Sequence, residues 1–272
     1  MENKTINDFI QRLRENSIAR VKREGIWRDL LTGYPVWHQN IDSKNNDEDE
    51  GKRKFFRIQR GYHDNLERML PLSTGDEQIG LGRANYEKES LLYCTDMDFY
   101  SCLLELVDRT HNDIQRITVI EFTSKSNLSI IPIGLTDRKR YTEILLSNGL
   151  KFTEEGFRAY QLISDFMDEE FRLISDIEGR SYLNSSVISK VIREDFPKAH
   201  GLRYKTVRGF NFYHRGLNYA FEINNFHDYF EITHCMQQEF RWLENEVRKF
   251  DQLGINVGKM NKEGKFEFEK YK

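Results

Sequence analysis

The segment Gly80–Leu106, GLGRANYEKESLLYCTDMDFYSCLLEL, sets the reading of this chain. Gly82 to Asn85 has the composition of a turn. SLLYC (Ser90–Cys94) reads as a short strand carrying Tyr93 near its end. Thr95 or Asp96 can cap the next helix, which runs to about Arg109 and carries Glu105. Phe99, Leu103 and Leu106 form the apolar stripe of that helix.

Two other stretches join this segment. Upstream, KFFRIQRGY (Lys54–Tyr62) alternates as a strand does, with Phe56 and Ile58 on one face and Arg57 and Gln59 on the other. Arg57 is thus expected to leave the strand opposite the apolar side. Downstream, GLRYKTV (Gly201–Val207) is a strand bearing the hydroxyl of Thr206. The three pieces are expected to form one pocket for a nucleotide-like substrate.

The rest of the chain fills in an α+β class, a mixed sheet with flanking helices. Residues 5–31 read as helix, interrupted near Gly25. Residues 41–54 are polar and charged, a solvated loop and a subdomain boundary. Ile117–Thr123 and Leu128–Leu135 read as two strands around a Lys-Ser-Asn turn. Helices are expected at about 138–148, at 154–177, and from a cap at Asn184 or Ser185. Leu217–Ile223 is a further strand, and YFEIT from Tyr229 another. Phe240, Leu243, Val247 and Phe250 have heptad-like spacing and predict a helix over 236–253. The tail from Ile255 reads as a hairpin turning at Lys262 to Gly264. This divides the chain into an N-terminal helical extension and loop (1–49), a catalytic domain (50–225), and a C-terminal helix and hairpin packed on it (226–272).

Composition narrows the function. The 41 basic and 44 acidic residues give a net charge of -3, which provides no basic field for nucleic acid, and direct nucleic-acid binding is not expected. The 19 Phe and 13 Tyr among 272 residues oppose general disorder. No apolar run approaches the roughly 20 residues of a membrane helix, and the N-terminus has no signal core, so a cytoplasmic protein is expected. Cys94, Cys102 and Cys235 are too few and scattered for a disulfide framework, and they fit reduced thiols. GLGRAN lacks the third glycine and the strand–helix setting of a dinucleotide loop. No Walker loop, HExxH or GxSxG occurs, and the seven histidines have no metal-ligand spacing, so no metal is expected.

The order of these features resembles the RES domain, a family named for an arginine, a glutamate and a serine. FFRIQRG resembles its opening strand, GRANYEKESLLYCTDMDFYSCLLEL its central segment, YLNSSVISKVIREDFPKAHGLRYKTVRG its later helix and strand, and LNYAFEI the strand after that. The resemblance covers about 50–225. It puts the family arginine on Arg57, the tyrosine on Tyr93 and the glutamate on Glu105. The family serine falls on Thr206, a departure that keeps the hydroxyl but adds a methyl and stiffens the side chain.

The resemblance implies a fold related to ADP-ribosyltransferases and cleavage of the nicotinamide–ribose bond of NAD, by hydrolysis or phosphorolysis. NAD would be a consumed substrate, with no resident cofactor. Many relatives are bacterial toxins that deplete NAD and pair with an Xre-type antitoxin. Such a protein partner, or self-association, is a further expectation. In this reading Glu105 stabilises the cationic ribose or binds its 2′-hydroxyl, and Arg57 binds the pyrophosphate. Tyr93 stacks on the nicotinamide ring and Thr206 hydrogen-bonds the dinucleotide or the glutamate. Arg60, Arg83 and Asn85 complete the phosphate or ribose contacts.

Each residue also has a plainer reading. Glu105 precedes Arg109 by four positions and can form an ordinary helix-surface pair. Arg57 can be a solvated strand residue, Tyr93 a core or edge tyrosine and Thr206 a common strand residue. Arg83 and Asn85 can simply make the turn. Two other functions stay open: transfer of ADP-ribose to a macromolecule, and a non-catalytic nucleotide-binding or interaction module with a decayed site.

Overall fold

The computed structural model describes residues 3–15, 19–32, 34–41, 53–96, 103, 114–173, 182–205, 217–242 and 250–270. Its centre is one sheet built from β1 (Gln39–Ile41), β2 (Lys54–Arg60), β3 (Leu92–Thr95), β4 (Gln115–Ser124), β5 (Leu128–Pro132), β6 (Gly201–Lys205), β7 (Leu217–Phe221), β8 (Phe230–Trp242), β9 (Phe250–Met260) and β10 (Phe266–Lys270). The strand order is β1-β5-β6-β7-β3-β2-β4-β8-β9-β10. Every neighbouring pair is antiparallel except β5 and β6. A parallel pair needs a long crossover. Here the crossover consists of α3 (Arg138–Ser147), α4 (Glu154–Arg172) and α5 (Leu183–Asp195). The class is α+β, as the sequence implies.

Both strands read around the Lys-Ser-Asn turn are present, but they do not pair with each other. β4 and β5 stand five places apart in the sheet. Only residues 125–127 join them, a link that reaches at most roughly 14 Å when extended. Five strand spacings in a flat sheet would require roughly 24 Å. The sheet must therefore fold over on itself, as large twisted sheets tend to. The far edge curls likewise: Phe266 N–H donates to Asp64 C=O at 2.7 Å and Leu66 N–H to Gly264 C=O at 2.9 Å, which ties β10 to the loop after β2.

The inside of this fold is aromatic. Phe55 lies within ring-contact distance of Phe122, Tyr219, Phe221 and Phe230, and Ile41, Leu128 and Ile130 belong to the same core. The other face of the sheet, with Leu91, Ala220, Leu202 and Tyr204, is covered by helices. Burying one such aromatic side chain contributes roughly 1.5–3 kcal/mol.

The N-terminal segment is two helices, α1 (Asn3–Leu13) and α2 (Arg20–Leu31). The break lies before Arg20, and Gly25 is inside α2, contrary to the sequence expectation. A helical glycine costs about 1 kcal/mol, and α2 offsets this by burying Arg23, Ile26, Trp27, Leu30 and Leu31. Trp27 stacks on Phe166 of α4 at 5.5 Å. Arg23 is 2% exposed. It donates to the carbonyls of Leu13 and Glu15 and to Asn184 Oδ1 on α5. α1 and α2 therefore share one core with the crossover helices. Asn184 does not cap α5: its Nδ2 donates to Leu13 C=O at 3.1 Å, and the capping position is Tyr182.

The helix expected over 236–253 is absent, because β8 and β9 occupy its described residues. β8 pairs with β4 on one side and β9 on the other. A strand with ladders on both edges satisfies all its backbone groups, and this outweighs the helical spacing of a few apolar residues. Gln237 and Gln238 are buried; these polar residues at interior positions hide the strand's alternation. β8–β10 thus extend the same sheet. The expected β9–β10 hairpin is present, with Gly264 at φ +77° in its turn. A one-turn helix, α6 (Phe226–Tyr229), leads into β8.

Candidate functional site

The strands bearing the expected site residues are neighbours. β6, β7, β3 and β2 are contiguous in the sheet. Thr206 follows the last residue of β6, and Glu105 lies in the segment that follows β3; both are outside the described residues. The ends of β6 and β3 coincide, since Lys205 faces Leu217 and Asp96 N–H donates to Leu217 C=O at 3.3 Å. The Thr95 hydroxyl donates to Leu217 C=O at 3.0 Å, and the helix that Thr95 or Asp96 was expected to cap lies outside the described residues.

Arg57 sits where β2 and β3 part. Their ladder has one pair, Phe56 with Thr95. Beyond it the Arg57 guanidinium takes over, with Nη1 donating to Tyr93 C=O at 2.9 Å and Nε to Met69 C=O. Arg57 is 8% exposed. It shares a strand face with fully buried Phe55, so it points into the aromatic interior. The sequence expected it opposite the apolar side. The error came from choosing Phe56 and Ile58 as the core face, when Phe55 is the more buried ring. Arg60, three residues on, lies on the opposite face, exposed at the end of β2, and its carbonyl accepts from His63 Nε2 at 2.8 Å.

Tyr93 points the other way, into the helix-covered face. Its hydroxyl accepts from Ala84 N–H at 2.8 Å and donates to Asn85 Oδ1 at 2.7 Å. Asn85 is buried, and its Nδ2 donates to the carbonyls of Gly80 and Tyr86. A Cβ at Gly82 would stand 2.2 Å from Asn85 Oδ1, so only glycine lets the turn close over this amide. Burial raises the Tyr93 hydroxyl well above its ordinary pKa, and it stays protonated. Arg83 donates to Leu173 C=O at 3.1 Å, and its guanidinium lies 5.3 Å from the Tyr182 ring centre. Tyr93, Arg83 and Asn85 thus come together with the helix layer, whereas Arg57, on the other face, donates to the Tyr93 backbone carbonyl.

On the Arg57 face, a group that sequence reasoning did not single out stands nearby. Tyr219 of β7 donates to Asp96 Oδ2 at 2.6 Å, and Arg53 Nη1 contacts both Asp96 Oδ2 and the Tyr219 oxygen at 3.0 Å. Burial, then the Asp96 charge, pushes the Tyr219 hydroxyl well above its ordinary pKa. The signal in the sequence was the alternation of LNYAFEI. It puts Tyr219 and Phe221 on one face, where they stack at 5.6 Å. Arg53 was absorbed into a charged loop that precedes β2.

On the helix side, the β6 end is fixed by Asp168 of α4. Its carboxylate accepts from Lys205 Nζ at 2.9 Å and lies 3.3 Å from Arg172 Nη2. Gly134 makes room for this: φ is +63°, and a Cβ there would lie 2.6 Å from Asp168 Cβ. The residue before Thr206 is therefore tied to the helix layer.

Among the described residues, no group of three or more His, Cys, Asp or Glu side chains could hold a metal ion, and no helix is long and apolar enough to cross a membrane. Compared with known protein families and with curated proteins, the chain finds no match in either.

Proposed function

We propose that this chain consumes NAD, breaking the nicotinamide–ribose bond at the sheet end where β3 and β6 finish. What supports the reading is one arrangement: the strands before Glu105 and Thr206 end side by side, next to the β2–β3 parting that Arg57 fills. In the proposed reaction the C–N bond to nicotinamide lengthens, positive charge grows on the ribose, nicotinamide leaves with the bonding pair, and an oxygen of water or phosphate bonds to the ribose carbon. Glu105, as a carboxylate, stabilises that charge. Arg57 offers cationic charge to the pyrophosphate. Thr206 orients the ribose or the carboxylate through its hydroxyl. Tyr93, with its hydroxyl saturated and its ring on the helix side, acts by holding β3 and the Gly82–Asn85 turn in place. Arg83 and Asn85 support that turn, and Arg60 lies outside the arrangement.

The test is nicotinamide release from NAD by the purified full chain, followed by chromatography with and without phosphate. Release by the wild type and a loss of about 10²-fold or more in Glu105→Gln supports the proposal. Release that persists in Glu105→Gln removes Glu105 from its role, and no release under any condition removes the activity. Label from NAD appearing on protein would redirect the reading to ADP-ribose transfer.

A further inference from the structure

Arg203, on the inner face of the sheet, has no ion-pair partner among the described residues. Arg203 of β6 is 8% exposed. Its strand neighbours Leu202 and Tyr204 face the helices, so Arg203 faces the folded-over interior. Its Nε is buried with no hydrogen-bond partner, and no ion pair to Arg203 is found among the described residues. A buried guanidinium without a counterion is costly, and native structures seldom keep one without a use.

The register shows what surrounds it. Arg203 faces Tyr219, Tyr219 faces Cys94, and the β2–β3 pairing brings Arg57 next in the same row. Tyr219 carries the Arg53–Asp96 pair on its hydroxyl. Among the described residues Asp96 is the carboxylate of this group, and it already accepts from both Arg53 and Tyr219. Arg53 is thus paired, while Arg203 has no ion-pair partner among the described residues. The Arg53 side chain is 32% exposed and that of Asp96 12%, so Arg53 reaches solvent; the register places Arg203 beside Tyr219.

We infer that Arg203, with Arg53, forms an oxyanion subsite that takes a phosphoryl group. A guanidinium presents parallel N–H donors that match two phosphoryl oxygens. Arg53 supplies the second cation at the mouth. Asp96 keeps Arg53 and Tyr219 oriented in the ligand-free protein. The subsite is independent of the NAD reading, since it concerns phosphoryl binding and needs no bond cleavage.

The experiment measures binding of inorganic phosphate, and separately of ADP-ribose, to the full chain at constant ionic strength, by calorimetry and by the shift in thermal midpoint. Wild type binds at least one of the two, and Arg203→Met weakens that binding tenfold or more. Arg203→Lys keeps the charge but loses the fork, and falls between them. Phosphate that binds and competes with ADP-ribose identifies free phosphoryl groups as ligands; binding of ADP-ribose alone identifies the phosphoryl groups of a nucleotide. In phosphate-free buffer Arg203→Met melts at or above the wild-type temperature, because it removes an uncompensated buried charge. The inference is overturned if neither ligand binds, if Arg203→Met binds as wild type does, or if that variant melts far lower without ligand, which would make Arg203 a structural residue.

Discussion

Replacing Glu170 with glutamine should stabilise the protein above neutral pH and change little below pH 5. Glu170 lies on α4, is 7% exposed, and faces the α1–α2 corner. Burial pushes its carboxyl up from 4.5 to about 7, against the opposing pull of the Asn184 hydrogen bond and of the Arg14 and Arg23 charges. A carboxyl raised on folding binds its proton more tightly in the native state than in the unfolded one. Its contribution is fully present below pH 4.5 and is lost as the pH rises through about 7. Above that point the native protein carries a disfavoured carboxylate, costing about 3 kcal/mol by the conversion of 1.36 kcal/mol per pKa unit. Glutamine keeps the shape and an acceptor for Asn184 but has nothing to ionise. Urea unfolding of both proteins between pH 4.5 and 8.5 measures this. The wild type should lose up to about 3 kcal/mol relative to Glu170→Gln across that range. Parallel profiles, or a variant less stable at pH 8, would show that Glu170 is held as a carboxylate by its cationic neighbours and that burial does not govern it.

Other outcomes follow from the same geometry. Arg57→Met leaves the carbonyls of Met69 and Tyr93 without this donor; at about 1–3 kcal/mol per unsatisfied buried group, urea unfolding should show a loss of several kcal/mol. Gly82→Ala drives a methyl into Asn85 Oδ1 and should lower stability by about 1–3 kcal/mol, the usual cost of overpacking, measured by thermal melting. In a Cys102→Ser background, Cys94 and Cys235 should resist Ellman's reagent until the protein unfolds. Both are buried, and burial raises the Cys235 thiol to about 11.

Local chemistry made much of the fold legible. β3 stood out as a short apolar run, β6 and β7 were read as further short strands, and Gly264 marked the last hairpin. Long-range pairing did not. Nothing in residues 117–135 says that β4 and β5 separate, because that depends on a sheet curling through strands far along the chain. β8 was misread because buried glutamines broke its alternation while a few apolar residues happened to fall at helical spacing. At the site, the link between Tyr93 and the Arg83–Asn85 turn was foreseen as proximity, but its hydrogen bonds were not. The face of Arg57 turned on choosing between adjacent phenylalanines, Phe55 and Phe56, which composition alone cannot rank. Arg203 was invisible for a related reason: its unmet charge exists only once the sheet has folded over it.

A crystal structure of the full chain with ADP-ribose bound bears on the proposed activity most directly. The account predicts the ligand at the common end of β2, β3, β7 and β6, with its phosphates against the inner-face arginines and its ribose within hydrogen-bond reach of Glu105. A ligand seated elsewhere, or a Glu105 carboxylate remote from the ribose, would contradict it.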